Sequence, residues 1–184
     1  TVCLSGDGGD ELCAGYSRYR IMALLWRTLS MVPRPFRRMA AQIIPQLSAA
    51  SWERLLSPFT SVKNPGDKLL RLAEACVMES RRQFYEESLR HWRGVILGGH
   101  VENLHHESSA LPYLEEMMLH DMEHYLPDDI LTKVDRASMA VGLEARAPLL
   151  DTDLIEFAWT MPASMKVRGS VSKWALKELL YRYV

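Results

Sequence analysis

The chain opens with a short apolar stretch, Val2, Cys3 and Leu4, that runs directly into Ser5-Gly6-Asp7-Gly8-Gly9-Asp10-Glu11. From there on the spacing of apolar positions is helical. Residues 12–31 mix apolar and basic side chains and stop near Pro33 and Pro35, and residues 36–44 form a second stretch closed by Pro45. A short helix is expected over 52–56 after Ser51, followed by a turn at Lys63-Asn64-Pro65-Gly66. Asp67 then caps a helix that carries Leu69, Leu70, Ala73, Cys76 and Val77 at matching spacing. More helix is expected over 81–92, interrupted by Gly94 and the Gly98-Gly99 pair, with a polar loop over 100–109.

The cleanest amphipathic pattern spans 114–126, with Leu114, Met117, Met118, Met122, Tyr125 and Leu126 on one face. His120 and His124 lie four apart on the opposite face beside Asp121 and Glu123, which reads as a solvated surface. Asp128 or Asp129 can cap the next helix, whose inner face carries Ile130, Leu131, Val134 and Ala137. Near the end, Gly169-Ser170 looks like a turn plus helix cap, placing Lys173 in the first turn ahead of Trp174, Ala175, Leu179 and Leu180. On pattern alone the fold class is mostly α, with one short strand at the start hinting at a truncated α/β domain. One strand cannot form a sheet alone.

Composition narrows the picture modestly. A chain of 184 residues with 48% hydrophobic and 24% charged side chains is one domain, or a large piece of one, with enough apolar surface for a core. A net charge of −1 provides no overall field for nucleic acid or an anionic membrane. Cys3, Cys13 and Cys76 lack zinc-like spacing and fit reduced thiols in a cytoplasmic protein. The longest apolar run, residues 21–26, is far too short to cross a bilayer. Arg27, Arg34, Arg37 and Arg38 read as the solvated face of two helices. The histidine pair does not form a His-Glu-x-x-His zinc motif, and His100, His105 and His106 belong to the polar loop.

Chemistry concentrates in two places. Residues 6–11 hold three glycines and three carboxylates. Glycines let the backbone turn tightly and approach a ligand, and a glycine-rich turn between strand and helix is a common phosphate cradle. Crowded carboxylates repel one another and repel phosphate unless something compensates, and a hard cation such as Mg²⁺ would do so. The loop therefore suggests a metal–nucleotide site, with Ser5, Gly6, Gly8 and Gly9 shaping it and offering N–H groups. Lys173, a cation at a helix N-terminus, opposes the dipole and makes sense with an anion nearby. The second block, 125–151, interrupts a helix with Lys133, Asp135 and Arg136, and Glu144 and Arg146 follow the Gly142 break. These charges read either as structural ion pairs tying helices together or as substrate contacts.

Three blocks, in order, resemble the synthetase domain of glutamine-dependent asparagine synthetases: Ser5-Gly-Asp-Gly-Gly-Asp-Glu11, Lys133-Val-Asp-Arg-Ala-Ser-Met-Ala with Leu-Glu-Ala-Arg-Ala-Pro-Leu-Leu-Asp151, and Met161-Pro with Met-Lys-Val and Ser-Lys-Trp-Ala-Leu-Lys-Glu178. The resemblance implies that residues 1–184 are the C-terminal portion of an α/β adenine-nucleotide α-hydrolase-like (PP-loop ATPase) synthetase domain. In that family ATP adenylates the side-chain carboxylate of aspartate, pyrophosphate leaves, and ammonia attacks the β-aspartyl-AMP. The ammonia comes from glutamine through an N-terminal glutaminase domain in cis. A Ser-Gly-Gly-x-Asp-Ser pyrophosphate loop lies upstream; neither it nor the glutaminase domain is in this sequence, so these residues alone are expected to be inactive.

The resemblance also assigns roles. It makes Asp10 a ligand of Mg²⁺ on the ATP phosphates and Lys173 the catalytic lysine. Asp7 stands where many members carry a glutamate, whose proposed role is general base in the ammonia step; a shorter side chain reaches less far. Glu11 leans towards a structural role. A homodimer is compatible with the family. Two alternatives stay open: a relative that adenylates a different carboxylate, and a non-catalytic helical module.

Overall fold

The computed structural model describes residues 1–89 and 110–184. In chain order the elements are β1 (Val2–Leu4), α1 (Gly9–Leu12), α2 (Ser17–Met31), α3 (Arg34–Ile43), α4 (Ala49–Leu56), α5 (Pro65–Ala75), α6 (Arg81–Leu89) and α7 (Tyr113–His120). A π-helical segment (Asp121–Leu131) leads into α8 (Thr132–Met139), β2 (Glu144–Arg146), α9 (Thr152–Thr160), α10 (Ala163–Lys166), β3 (Val167–Arg168), β4 (Val171–Ser172) and α11 (Trp174–Leu180). Among the described residues, one compact unit holds 1–23 and 110–184, and a second holds 24–89.

In the first unit β1 is not alone. It pairs in parallel with β2, Val2 opposite Glu144 and Leu4 opposite Arg146. Glu144 and Arg146, expected among the charges after a helix break, are thus strand residues. The core behind this pair is built on Leu12, Cys13 and Ala158, with Met122, Leu149, Ile155, Trp159, Met161 and Leu176 packed against them. The helical pattern expected over 12–31 is helix only from Ser17: α1 ends at Leu12 and residues 13–16 form a turn before α2. Ala14 adopts φ +52°, and the Gly15 N–H closes a turn on the Asp10 carbonyl at 2.8 Å, so the chain changes direction before α2 begins. The turn at Gly169 joins β3 to β4 as an antiparallel hairpin.

No cap forms at Asp128 or Asp129. The helical path continues from α7 through the π-helical segment into α8. Pro127 lies inside that segment and cannot donate a backbone hydrogen bond, and its ring would clash with the carbonyl four residues back. A wider helical register relieves that clash. The Thr132 hydroxyl closes the far side by donating to the Pro127 carbonyl at 2.8 Å. Met117, Met118 and Leu126 are buried as the pattern requires, but so is Asp121, which the sequence placed on a solvated face. Ala137, expected to face inward, is exposed.

Among the described residues every regular element of the second unit is a helix. α4 starts earlier than expected because Ser48, not Ser51, is its cap, its hydroxyl accepting from the Ser51 N–H at 3.2 Å. Likewise Asn64, in the left-handed region at φ +53°, precedes Pro65 at the start of α5, and Asp67 lies inside the first turn. α4 and α5 pack closely enough that the Gly66 N–H reaches Glu53 Oε2 at 3.1 Å. Trp26 and Phe84 stack at a tilt with centroids 5.6 Å apart. Arg27, Arg34 and Arg38 are exposed, but Arg37 is buried, against the expectation of a fully solvated basic face. The expected end of the helix at 90–92, the Gly94 and Gly98-Gly99 breaks and the histidine-bearing loop 100–109 lie outside the described residues. Cys3, Cys13 and Cys76 are free thiols. Among the described residues no helix is long and apolar enough to cross a membrane.

Candidate functional site

The loop after β1 is tied down at its first residue: the Ser5 N–H donates to the Arg146 carbonyl at 2.8 Å, extending the strand pairing by one bond. Gly8 precedes α1 at φ +86°, a conformation that favours glycine, and a Cβ there would also have to displace the Leu150 side chain. The three carboxylates then diverge. The Ser5 hydroxyl donates to Asp7 Oδ2 at 2.8 Å. Asp10 Oδ2 lies 2.9 Å from Lys173 Nζ. Glu11, only 1% exposed, accepts from the Tyr16 hydroxyl at 2.6 Å. Mutual repulsion is relieved by three separate partners. Among the described residues no three carboxylate, histidine or cysteine side chains cluster tightly enough to form a metal cage.

Lys173 is not in the first turn of α11. It is the residue before that helix, in the left-handed region at φ +54°, and its N–H donates to the Cys13 carbonyl at 3.1 Å. Ser170 is the corner of the β3–β4 hairpin rather than a cap, and its carbonyl accepts from Arg20 Nη1 at 3.0 Å. Backbone and side chain of Lys173 therefore both attach to the α1 region. The anion that a cation beside a helix N-terminus calls for is Asp10. A non-glycine residue with positive φ is uncommon and persists where its surroundings over-determine it.

Gly15 completes this contact, and sequence reasoning missed it. A Cβ there would overlap Asp10 Oδ1 and Lys173 Cε. The signal was a lone glycine inside an otherwise helical pattern. Two further residues escaped notice. Lys166 is 1% exposed, with its ammonium 4.9 Å from the Trp159 ring centroid. Burial pulls it below the usual lysine range, against the opposing pull of Glu115 and Cys13. Burial likewise pushes the Cys13 thiol up, opposed by Lys166 and Lys173. Arg18 lies over the Tyr16 ring at 3.9 Å and the Tyr125 ring at 4.7 Å, and donates to Asp121 Oδ2 at 2.6 Å. The Tyr19 hydroxyl donates to the same oxygen at 2.7 Å. Burial, reinforced by the Glu11 hydrogen bond, raises the Tyr16 phenol well above its ordinary value.

The charges of the second block sit elsewhere in this unit. Lys133 pairs with Asp129 one turn away on an exposed face, and that bond holds its ammonium above the usual range. Asp135 and Arg136 are exposed on α8. Glu144 and Arg146 pair at 2.7 Å within one strand, so they do not tie helices together. His120 and His124 stack with ring centroids 4.6 Å apart.

A glycine-rich loop thus leaves a parallel strand, with a carboxylate and a sequence-distant lysine in contact behind it. The chain belongs to the asparagine synthase family, which it matches over residues 1–184. It is 30% identical, over 97% of its length, to a Mycobacterium tuberculosis protein provisionally named asparagine synthetase (glutamine-hydrolyzing). Over the same share of its length it is 28% identical to asparagine synthetase (glutamine-hydrolyzing) 1 of Bacillus subtilis. The chain spans 27% of the length of each of these relatives. No solved structure matches it.

Proposed function

We propose that residues 1–184 form part of the synthetase domain of an ATP-dependent, glutamine-hydrolysing asparagine synthetase of PP-loop fold, acting in the cytoplasm. The pyrophosphate loop and the glutaminase domain would come from other segments of a longer protein. The observation that carries this reading is the Asp10–Lys173 contact. Two residues 163 positions apart, to which the family resemblance gives roles in the same phosphate chemistry, meet at 2.9 Å.

The donor set fits Mg²⁺–ATP in part. Asp10 is 37% exposed, and Mg²⁺ needs only one or two protein carboxylates beside phosphate and water oxygens. Asp10 would hold the metal, which when bound screens the charge of the phosphates. Ser5, Gly6, Gly8 and Gly9 would line the phosphates. Lys173, held by its own backbone bond to Cys13, would stabilise negative charge that develops as pyrophosphate leaves. Asp7, oriented by the Ser5 hydroxyl, would accept a proton from the attacking ammonia. Glu11, buried and bonded to Tyr16, fixes the loop rather than touching substrate. The exposed Lys133, Asp135 and Arg136 are available for substrate positioning.

The test is ATP–pyrophosphate exchange by the full-length protein with candidate acids. Exchange that depends on aspartate and is lost in Lys173→Met supports the reading; exchange only with another acid overturns it. The short Asp7 side chain, already engaged by Ser5, favours one second reading: an adenylating relative with a different acceptor carboxylate. The same assay decides between them.

A further inference from the structure

The second unit contains a charged residue that the asparagine synthase reading leaves unused. Arg37, on the first turns of α3, is 9% exposed, and its Nε and Nη1 are buried with no hydrogen-bond partner. A guanidinium carries five donors and cannot shed its charge in a protein. Burying two of those donors unsatisfied costs far more than leaving them in water. Arg37 is also not isolated. It lines a small cavity of about 50 Å³ together with Arg34, Arg38 and Glu79, floored by Cys76 and Met78. Three arginines and one glutamate thus line the same cavity. Arg34, Arg38 and Glu79 are exposed and form the mouth, while Cys76 and Met78 are buried behind it. The Arg37 charge is felt at Cys76, where it opposes the effect of burial on the thiol.

We infer that this cavity is an oxyanion site for a phosphate group, with Arg37 as the buried donor and Arg34 and Arg38 as the rim. A planar donor fork matches the oxygens of a phosphate, and charge-assisted bonds of this kind are the strong ones. The volume holds one tetrahedral anion and is far too small for a nucleotide. The class is therefore inorganic phosphate or a terminal phosphoryl group that projects into the mouth. The site lies wholly within the second unit and shares no residue with the Asp10–Lys173 contact.

The experiment is calorimetric titration of the full-length protein with inorganic phosphate, a phosphomonoester, and acetate, each at constant ionic strength. The wild type should take up phosphate saturably at a site that Arg37→Met weakens by at least about tenfold, in line with the strength of a charge-assisted pair. Arg34→Gln, a change at an exposed position, should weaken it several-fold and guards against a folding defect in the first variant. Lys173→Met should leave this site intact. Preference for the monoester over inorganic phosphate identifies a terminal phosphoryl group, and the reverse identifies the free ion; both support the inference. No saturable uptake, uptake equal in wild type and both arginine variants, uptake lost in Lys173→Met alone, or acetate bound as well as phosphate would each overturn it.

Discussion

Gly15→Ala separates the geometry of the site from the stability of the fold. The added Cβ would overlap Asp10 Oδ1 and Lys173 Cε and would lie 2.8 Å from Asp10 Cγ, so the ion pair must move. The atoms that must yield are the ends of flexible side chains, 30% and 37% exposed, and not backbone. Gly15 does not have positive φ, so alanine fits the backbone. Losing a half-exposed pair costs up to about 1 kcal/mol. Reduced freedom of the unfolded chain returns about 0.4–1 kcal/mol. The two nearly cancel, and Tm should move by no more than about 2–4 °C in a chain of this size. Catalysis has no such compensation, since misplacing a reacting group by about an ångström can cost about 10²-fold. Thermal unfolding and ATP–pyrophosphate exchange on the same preparation provide both readings. A folded variant with exchange within about twofold of wild type would show that the position of the pair is irrelevant to the chemistry. A collapse of Tm would show that backbone, not side chains, absorbs the overlap.

Lys173→Gly should shift Tm by only a few degrees at most, because relief of a left-handed backbone worth about 1 kcal/mol offsets the lost pair with Asp10, while exchange falls by about 10²-fold or more with the amine gone; equal activity would remove Lys173 from the catalytic set. Tyr16→Phe leaves the buried Glu11 carboxylate without its 2.6 Å donor and should lower urea stability by about 1–3 kcal/mol. Lys166→Met should be more stable than wild type near neutral pH, because the folded state disfavours the lysine charge. Between the lowered value in the folded protein and the ordinary 10.5, the unfolded chain binds more protons, so wild-type stability from this group rises with pH. The gap between the two proteins in urea unfolding should therefore shrink as pH climbs towards 10.5; a constant gap would contradict the burial of the charge.

The parts of this fold that were legible in the sequence are those fixed by neighbours along the chain. The loop from Ser5 to Glu11 announces itself by glycine and carboxylate density, and α3 and α7 follow apolar spacing bounded by prolines. What escaped depends on partners far away. β2 is only Glu-Ala-Arg, with charged ends that no strand pattern selects, and it exists because β1 lies beside it. Asp121 reads as surface until Arg18, 103 positions earlier, is brought to its carboxylate. Ser170 looks like a helix cap, but the hairpin takes it as a corner and leaves Lys173 at the head of α11. Arg37 reads as solvated because its burial is set by α5's end and the turn after it, not by its own helix.

The pairing of β1 with β2 has a consequence for the order in which this molecule can assemble. Val2 meets Glu144 only after about 140 intervening residues have been gathered, and the entropy of closing such a loop must be met before the contact rewards it. The bond that anchors the loop, from Ser5 to Arg146, sits at the end of that closure, and Lys173 comes later still. During synthesis, which proceeds from the N-terminus, the Ser5–Glu11 loop is made well before Arg146 and Lys173 and stays unanchored until both have left the ribosome. A chain that stops short of Arg146 therefore presents Asp7 and Asp10 on a loose segment, and the loop becomes organised only once Arg146 and Lys173 have been made.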